Sequence, residues 1–246
     1  MKKTGWFSEW FDTEYYHMLY RRRDDAEAAA FVRTITAFLQ LNPGSRVADI
    51  ACGKGRHSRV LAGMGFEVHG FDLSKNNIEY ATKHASGKEQ FTVQDIREPY
   101  PDNNYHAAFN LFTSFGYFET RAEDLLALSN IFQMLNPGGY FVQDYINAPP
   151  VLRKLPHKST ESCSGVKFFI EKSWNPPFIT KKITVEKAGA SSEYQEKVKL
   201  YEADELKEMH VQCGFEVLNI FGDYQLQPVQ RDISPRLIVI SRKPDV

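Results

Sequence analysis

The residues best suited to chemistry are two glycines and the acid that precedes them. Gly53 and Gly55 follow the apolar segment 46–51, and Asp49 lies within that segment, four residues before Gly53. A buried strand, a glycine turn and a helix together can hold the charged end of a ligand. Because glycine has no Cβ, the backbone can approach that ligand closely. We therefore expect a ligand-binding turn with a carboxylate near the charged end of the ligand.

The charge of Asp49 bears on the choice between two nucleotide-like ligands. A dinucleotide fingerprint has a third glycine where this chain has Ser58, and its pyrophosphate would be repelled by Asp49. S-adenosylmethionine (SAM) instead carries an α-amino group and a sulfonium, and a carboxylate attracts both of these cations. The sequence therefore favours SAM over NAD.

Two further acids lie at the predicted ends of strands. Asp72 is about 20 residues beyond the glycine turn, the place of an acid that binds ribose hydroxyls. Asp72 could instead cap the following helix, although Ser74 is an equally good cap. Asp95 ends the third predicted strand, where a carboxylate can accept a hydrogen bond from adenine while Ile96 covers one face of the base.

These residues require an alternation of strands and helices to position them. Strands are predicted at 46–51, 66–71, 90–94, 105–112 and 140–145, and helices at 25–40, 56–64, 74–85 and 119–135. Such alternation is typical of a parallel sheet covered on both faces. A helix at 204–213 and strands at 215–221 and 236–242 complete the pattern. We assign residues 25–150 and 202–246 to this ligand-binding domain.

Two segments fall outside that alternation. Residues 151–201 contain three predicted strands without helices, at 166–174, 179–187 and 193–201, which indicates a small antiparallel β insert. Residues 1–24 are rich in aromatic side chains, too many to leave in water. We expect this aromatic segment and the long loop 222–235 to close over the ligand as a lid, with Tyr16 and Tyr224 facing it. The alternatives for the aromatic segment are packing on an outer helix face and a dimer contact.

The overall composition limits the partners. The formal net charge is −1, whereas proteins that grip nucleic acid usually have a basic excess, so nucleic acid is an unlikely partner. Three widely spaced cysteines do not form a disulfide framework or a zinc site, so no metal is expected. The N-terminus lacks the apolar core of a signal peptide, and no apolar run approaches a membrane span. We expect a cytoplasmic protein, either a monomer or a homodimer.

Five segments, taken in order, resemble the motif series of class I SAM-dependent methyltransferases. They are VADIACGKGRHS, FDLS, VQDI, FNLFTSFGYF and LNPGGYFVQDY, and they cover residues 42–147. The segments at 10–16 and 221–237 further resemble an uncharacterised bacterial subgroup of that family. The family implies an α/β fold with a seven-stranded, mostly parallel sheet, helices on both faces and an antiparallel last strand, here with the β insert after strand five.

The resemblance also implies how SAM is bound. Asp49, Gly53 and Gly55 would hold the methionine end of SAM, Asp72 the ribose, and Asp95 with Ile96 the adenine. Asn110 and Leu111 would approach the sulfonium. The complete set of expected cofactor-binding residues is Tyr16, Asp49, Ala51, Cys52, Gly53, Gly55, Arg56, His57, Asp72, Leu73, Ser74, Asp95, Ile96, Asn110, Leu111 and Phe112.

The methyl acceptor is less defined. The Asn/Asp-Pro-Pro-Tyr motif of enzymes that methylate amide or base nitrogens is absent after strand four, where this chain has Asn110-Leu111-Phe112-Thr113. We expect transfer to an O or N atom of a small molecule. The alternatives are a tRNA or protein methyltransferase, a non-catalytic SAM-binding module and an NAD-binding enzyme. Candidate catalytic or pocket-lining residues are His57, Tyr117, Tyr224 and Arg236, and Arg236 could pair with a carboxylate or phosphate of the acceptor.

Overall fold

The structure, a computed structural model, describes residues 5–21 and 25–245. Parts of the predicted aromatic segment, at residues 1–4 and 22–24, lie outside the described residues. The helices are α1 (Trp6–Trp10), α2 (Glu14–Leu19), α3 (Asp25–Phe38), α4 (Arg56–Gly63), α5 (Lys75–Lys83), α6 (Arg121–Met134), α7 (Ala148–Leu152) and α8 (Ala203–Gln212). The strands are β1 (Arg46–Ile50), β2 (Glu67–Asp72), β3 (Glu89–Val93), β4 (Tyr105–Asn110), β5 (Leu135–Ile146), β6 (His157–Cys163), β7 (Val166–Asn175), β8 (Phe178–Lys187), β9 (Ala190–Lys199), β10 (Glu216–Phe221) and β11 (Arg236–Arg242).

Seven strands form the central sheet in the order β10-β11-β5-β4-β1-β2-β3. Strands β1 to β5 pair in parallel, and the last strand, β11, runs antiparallel to both of its neighbours, β5 and β10. This confirms the predicted sheet and its antiparallel last strand. The carboxyl ends of β1, β2, β3 and β4 therefore meet at one edge of the sheet, where the predicted binding residues were placed.

Helices cover both faces of the sheet. On one face, α3 and α4 contribute apolar residues such as Phe31, Ile35 and Leu61 to a fully buried cluster. On the other face, α6 and α8 contribute Leu128 and Leu206 to a second cluster. Because both faces are buried, β1 reads as a nearly continuous apolar segment. Within the described residues, no helix is both long and apolar enough to cross a membrane.

The β insert has four strands in the order β6-β7-β8-β9, one more than the sequence predicted. The missed strand, β6, has the sequence HKSTESC and is mostly exposed at the edge of this sheet, so it lacks apolar alternation. One face of the insert carries the buried side chains Phe168, Ile170 and Ile183. These side chains pack against Trp10 and Leu19 of the N-terminal segment.

Candidate functional site

A single large cavity lies between the carboxyl ends of the central strands and the β insert. Its volume is about 950 Å³, near the upper end of the roughly 300–1,000 Å³ typical of small-molecule sites. Residues of the β1–α4 turn line one side, and residues of β6, β7, β8 and β9 line another. The N-terminal segment contributes Trp6, Phe7, Phe11, Tyr16 and Tyr20, which we call the aromatic roof.

The β1–α4 turn has the geometry that its glycines predict. Ala51, Gly53 and Gly55 all have positive φ angles, of 57°, 55° and 74°. A Cβ on Gly53 would meet no protein atom within 4 Å, so the space beside it is open. A Cβ on Gly55 would instead lie 2.8 Å from the ring of Phe91. Gly53 thus leaves room that a ligand can fill, whereas Gly55 lets the start of α4 pack on β3.

Asp49 is a buried carboxylate at the wall of this cavity. Only 1% of Asp49 is exposed, and its Oδ2 accepts a hydrogen bond of 2.6 Å from the hydroxyl of Ser58. The pKa of Asp49 is raised to about 7, mainly by burial and to a lesser extent by the charge of Asp72, whereas the hydrogen bond from Ser58 acts to lower it. A buried carboxyl in this state is suited to a cationic partner, which would favour its ionised form.

Asp72 ends β2 and joins two loops. Its Oδ2 accepts a hydrogen bond from the backbone amide of Gly53, and its Oδ1 accepts one from the amide of Ser74, both at 2.8 Å. The hydroxyl of Ser74 accepts from the amide of Asn77 and so caps α5, as the sequence suggested. Burial raises the pKa of Asp72. Asp72 lines the cavity and also fixes the turn that carries Gly53.

Asp95 has a strong partner that sequence reasoning missed. Its carboxylate accepts hydrogen bonds from Nε and Nη2 of Arg97, at 3.0 and 2.7 Å, in a bidentate ion pair. Arg97 also bonds Glu123 at 2.8 Å and lies 4.5 Å above the ring of Phe118. Asp95 and Ile96 both line the cavity. Arg97 therefore fixes the orientation of the Asp95 carboxylate, and a ligand amino group at this position would share the carboxylate with Arg97.

A second missed residue, Asp144 on β5, organises the loop after β4. Phe112 and Thr113 have positive φ angles of 62° and 60°, which are strained for side chains of these types. The amide of Phe112 donates to Oδ2 of Asp144 at 2.8 Å, and the Thr113 amide donates to its carbonyl at 3.0 Å. Arg236 donates to Asp144 Oδ1 at 2.7 Å and to the Thr113 hydroxyl at 2.8 Å. An acid in an otherwise apolar strand was the available signal.

The N-terminal segment is tied to both sides of the cavity. Asp12 accepts hydrogen bonds from the hydroxyl of Ser74 and from Asn76 Nδ2, the latter at 2.7 Å. On the other side, Glu196 of β9 accepts from the indole of Trp10 at 2.8 Å and from the hydroxyl of Tyr20 at 2.6 Å. The aromatic roof therefore spans the opening from the cofactor-side rim to the β insert.

Most of the predicted cofactor-binding residues come together at this cavity, but two do not line it. Those that line it are Tyr16, Asp49, Ala51, Cys52, Gly53, Arg56, His57, Asp72, Leu73, Ser74, Asp95, Ile96, Leu111 and Phe112. Gly55 packs on Phe91 instead. Asn110 is buried behind the rim, where its Nδ2 donates to the carbonyls of Ile50 and Ser114.

The other candidate residues and the predicted lid loop need correction in part. Tyr117 and Arg236 line the cavity, but the charge of Arg236 is already paired with Asp144, which is fully buried. Tyr224 does not face the ligand space, because its ring lies 4.4 Å from that of Phe31 and its hydroxyl donates to Asp144 at 3.1 Å. All of residues 222–235 are described, and none of them lines the cavity.

Comparison with known proteins agrees with this architecture. The methyltransferase domain family matches residues 41–209 of the chain. A putative methyltransferase of Bacillus subtilis, YqeM, is 33% identical over 102 residues, which are 40% of this chain and 41% of that protein. The matched segment thus spans about two fifths of the length of that relative.

Two solved structures share the fold over nearly the whole chain. The CcbJ methyltransferase of Streptomyces caelestis superimposes with a TM-score of 0.80 at 18% identity, covering 99% of this chain and 100% of the other. The SAM-bound amino pentose methyltransferase CalS10 of Micromonospora echinaspora gives 0.71 at 20% identity, covering 94% and 97%. At such low identity these likenesses concern the fold alone.

The fold and the family match together define the class of the protein. The chain belongs to the methyltransferase domain family and has the fold of class I SAM-dependent methyltransferases. Of the similar structures, that of CalS10 contains bound SAM. The open space beside Gly53 and the buried carboxyl of Asp49 fit the methionine end of that cofactor.

Proposed function

We propose that this protein transfers the methyl group of SAM to an O or N atom of a small molecule held inside the cavity. The observation that carries the proposal is that one cavity of about 950 Å³ joins the β1–α4 turn to the β insert beneath the aromatic roof. Such a cavity has room for the cofactor and a small acceptor together. A tRNA or protein acceptor would need an open groove instead.

The cofactor roles that we propose follow the positions of the acids. Asp49 pairs with the ammonium group of SAM, and the backbone around Gly53 lies against its methionine end. Asp72 accepts the ribose hydroxyls, while Asp95 and Ile96 contact the adenine. The N-terminal segment closes over the site as a lid and holds Tyr16 at the ligand. The supporting fact is that these side chains line the same cavity.

The chain contributes to the reaction mainly by positioning the reactants and excluding water. Bound SAM supplies an electrophilic methyl group on a sulfonium. Methyl transfer to a lone pair needs the nucleophile in line with the breaking carbon–sulfur bond, and this alignment accounts for much of the rate acceleration. A general base is needed only where the acceptor is a hydroxyl that must lose its proton. His57 and Tyr117 line the cavity and are the residues that we propose to test for that role.

The test is a transfer experiment with SAM that carries a radioactive methyl group. The protein is incubated with three separate fractions of a bacterial extract: small metabolites, RNA and protein. We expect label in the metabolite fraction. The Gly53→Val variant serves as the control for background methylation, because its side chain would occupy the space proposed for the cofactor.

Each other outcome assigns a different function. Label in RNA or protein, with none in metabolites, would overturn the proposed acceptor class. No label in any fraction, in a protein that binds S-adenosylhomocysteine tightly, would support the non-catalytic SAM-binding module.

A further inference from the structure

The face of the β insert that lines the cavity carries an unusual row of charges. Lys172 on β7 lies directly opposite Lys181 on β8, and Lys181 lies directly opposite Glu196 on β9. Residues directly opposite each other in antiparallel strands project to the same face. All three side chains line the cavity. Two ammonium groups and the carboxylate of Glu196 therefore lie side by side on this wall of the site, and Glu161 of β6 lines the same cavity.

Lys181 and Glu196 largely satisfy each other. The ammonium of Lys181 lies 3.6 Å from Oε2 of Glu196, and it donates a hydrogen bond of 2.5 Å to the hydroxyl of Tyr20. The side chain of Lys181 is only 13% exposed, and burial lowers its pKa. Glu196 thus neutralises Lys181 and also holds the aromatic roof in place through Tyr20.

Lys172 differs from Lys181 in having no close partner. Across the part of the chain that the structure describes, the side chain of Lys172 forms neither a hydrogen bond nor an ion pair, although Glu161 lines the same cavity. Like charges directly opposite each other destabilise a sheet. The charge of Lys172 also contributes to lowering the pKa of Lys181, which shows that the two ammonium groups repel each other. The arrangement costs stability unless an anion joins it.

We propose that Lys172 and Lys181 bind an anionic group, a carboxylate or a phosphate, of the methyl acceptor. This proposal rests on the proposed function and names its substrate class. The cavity has acids at the opposite, cofactor side, namely Asp49, Asp72 and Asp95. A cationic cofactor and an anionic acceptor are therefore directed to different ends of one cavity. Lysine ammonium groups suit carboxylate and phosphate as point charges.

Arg236 does not compete for this role. It lines the cavity too, but its guanidinium donates to Asp144, which is fully buried and cannot turn away. Lys172, in contrast, is a cation of the acceptor side whose ammonium group has no partner among the described residues.

The test uses inorganic phosphate and acetate as probes on protein saturated with S-adenosylhomocysteine, with sodium chloride at matched ionic strength. Their affinities are measured by titration for the unmodified chain, Lys172→Gln and Lys172→Arg. Lys167→Gln is the matched control, because Lys167 lies on the same strand but projects to the other face. We expect phosphate or acetate to bind more tightly than chloride. Lys172→Gln should weaken the affinity for that anion by about fivefold, the order of magnitude of one exposed charge contact.

The controls separate this proposal from the function on which it rests. Lys172→Arg and Lys167→Gln should retain anion binding, and all variants should bind S-adenosylhomocysteine with unchanged affinity. Preference for phosphate or for acetate identifies which anion the acceptor carries. Equal anion binding by Lys172→Gln and the unmodified chain, or none beyond chloride, would overturn the proposal. A failure to bind S-adenosylhomocysteine would count against the proposed function instead. In that case the anion titrations can still be run on the protein without S-adenosylhomocysteine, so the two failures are distinguishable.

Discussion

The carboxylate of Asp72 accepts a hydrogen bond of 2.8 Å from the backbone amide of Gly53, so the end of β2 holds the turn that follows β1. The second oxygen of Asp72 holds the amide of Ser74 in the same way. A carboxylate oxygen accepts more than one hydrogen bond, so these contacts leave capacity for a ribose hydroxyl. Asp72 therefore fixes two loops and retains the capacity for the ribose-binding role that we propose.

Replacing Asp72 should affect both cofactor affinity and stability. We expect Asp72→Ala to weaken S-adenosylhomocysteine binding by about 1.5–3 kcal/mol, the cost of losing a hydrogen bond to a charged group. The amides of Gly53 and Ser74 lose their acceptor, so the melting temperature should fall by about 2–4 °C for each kcal/mol lost. Asp72→Asn retains one acceptor oxygen, so its cofactor affinity and melting temperature should lie between those of the unmodified chain and Asp72→Ala. Unchanged affinity, measured by calorimetry on a cooperatively melting Asp72→Ala protein, would show that Asp72 has only a structural role.

Valine at Gly53 and at Gly55 should cause different defects. A Cβ at Gly53 meets no protein atom within 4 Å, so Gly53→Val should stay folded and lose cofactor binding. Its free energy of unfolding should fall by roughly 1–2 kcal/mol, because the left-handed backbone there is unfavourable for valine. Gly55→Val would force its side chain into Phe91 and should mainly lower the melting temperature. Paired melting curves and cofactor titrations distinguish the two. Retained cofactor affinity in folded Gly53→Val would contradict the placement of this turn against the cofactor.

Cofactor affinity should increase with pH up to about pH 7. Burial raises the pKa of Asp49 to about 7, and only the ionised carboxylate attracts the ammonium of the cofactor. Below that pH the carboxyl of Asp49 must release a proton when the cofactor binds. The affinity for the cofactor should therefore fall by up to about tenfold for each pH unit. Of the neighbouring charges, Asp72 raises and Arg56 lowers the pKa of Asp49.

Ser58→Ala provides the control for this pH profile. It removes the hydrogen bond that lowers the pKa of Asp49, so the inflection should move to higher pH. A profile that stays flat between about pH 6 and pH 8 in the unmodified chain would exclude Asp49 as the titrating partner of the cofactor.

The contact between Asp12 and Ser74 should hold the N-terminal segment over the cofactor. We expect Asp12→Ala to speed proteolysis within residues 5–21 and to weaken S-adenosylhomocysteine binding, because the segment loses its anchor at the cofactor-side rim. Glu14→Gln is the matched control, since Glu14 pairs with Lys187 on the exposed side of the insert. Cleavage rates that do not change with cofactor or with Asp12→Ala would argue against a lid.

The parallel sheet was predictable because segments with the apolar pattern of a strand alternate along the chain with segments that have the apolar pattern of a helix. The place of Asp49, Gly53 and Asp72 at one cavity was predictable because the carboxyl ends of parallel strands meet at one edge of the sheet. Strand β6 was not, because an exposed edge strand needs no apolar alternation. The pair Asp144–Arg236 was also missed, since partners 92 residues apart carry no local signal of their contact. The pair Asp95–Arg97 was missed although its partners are only two residues apart.

Tyr224 and Asn110 show a related limit. Both were expected at the ligand, yet their side chains bond buried polar groups elsewhere, Asp144 in the case of Tyr224 and backbone carbonyls in the case of Asn110. The direction of a side chain depends on which buried groups need partners, and this is decided by tertiary structure.

The most direct measurement is a crystal structure of the protein with S-adenosylhomocysteine. We expect the ammonium group of the ligand within hydrogen-bonding distance of Asp49 and the ribose hydroxyls at Asp72, beneath Tyr16. The part of the cavity lined by Lys172 and Lys181 should then remain open for the acceptor. A ligand that fills the insert side of the cavity, or that lies away from both Asp49 and Asp72, would contradict the proposed site.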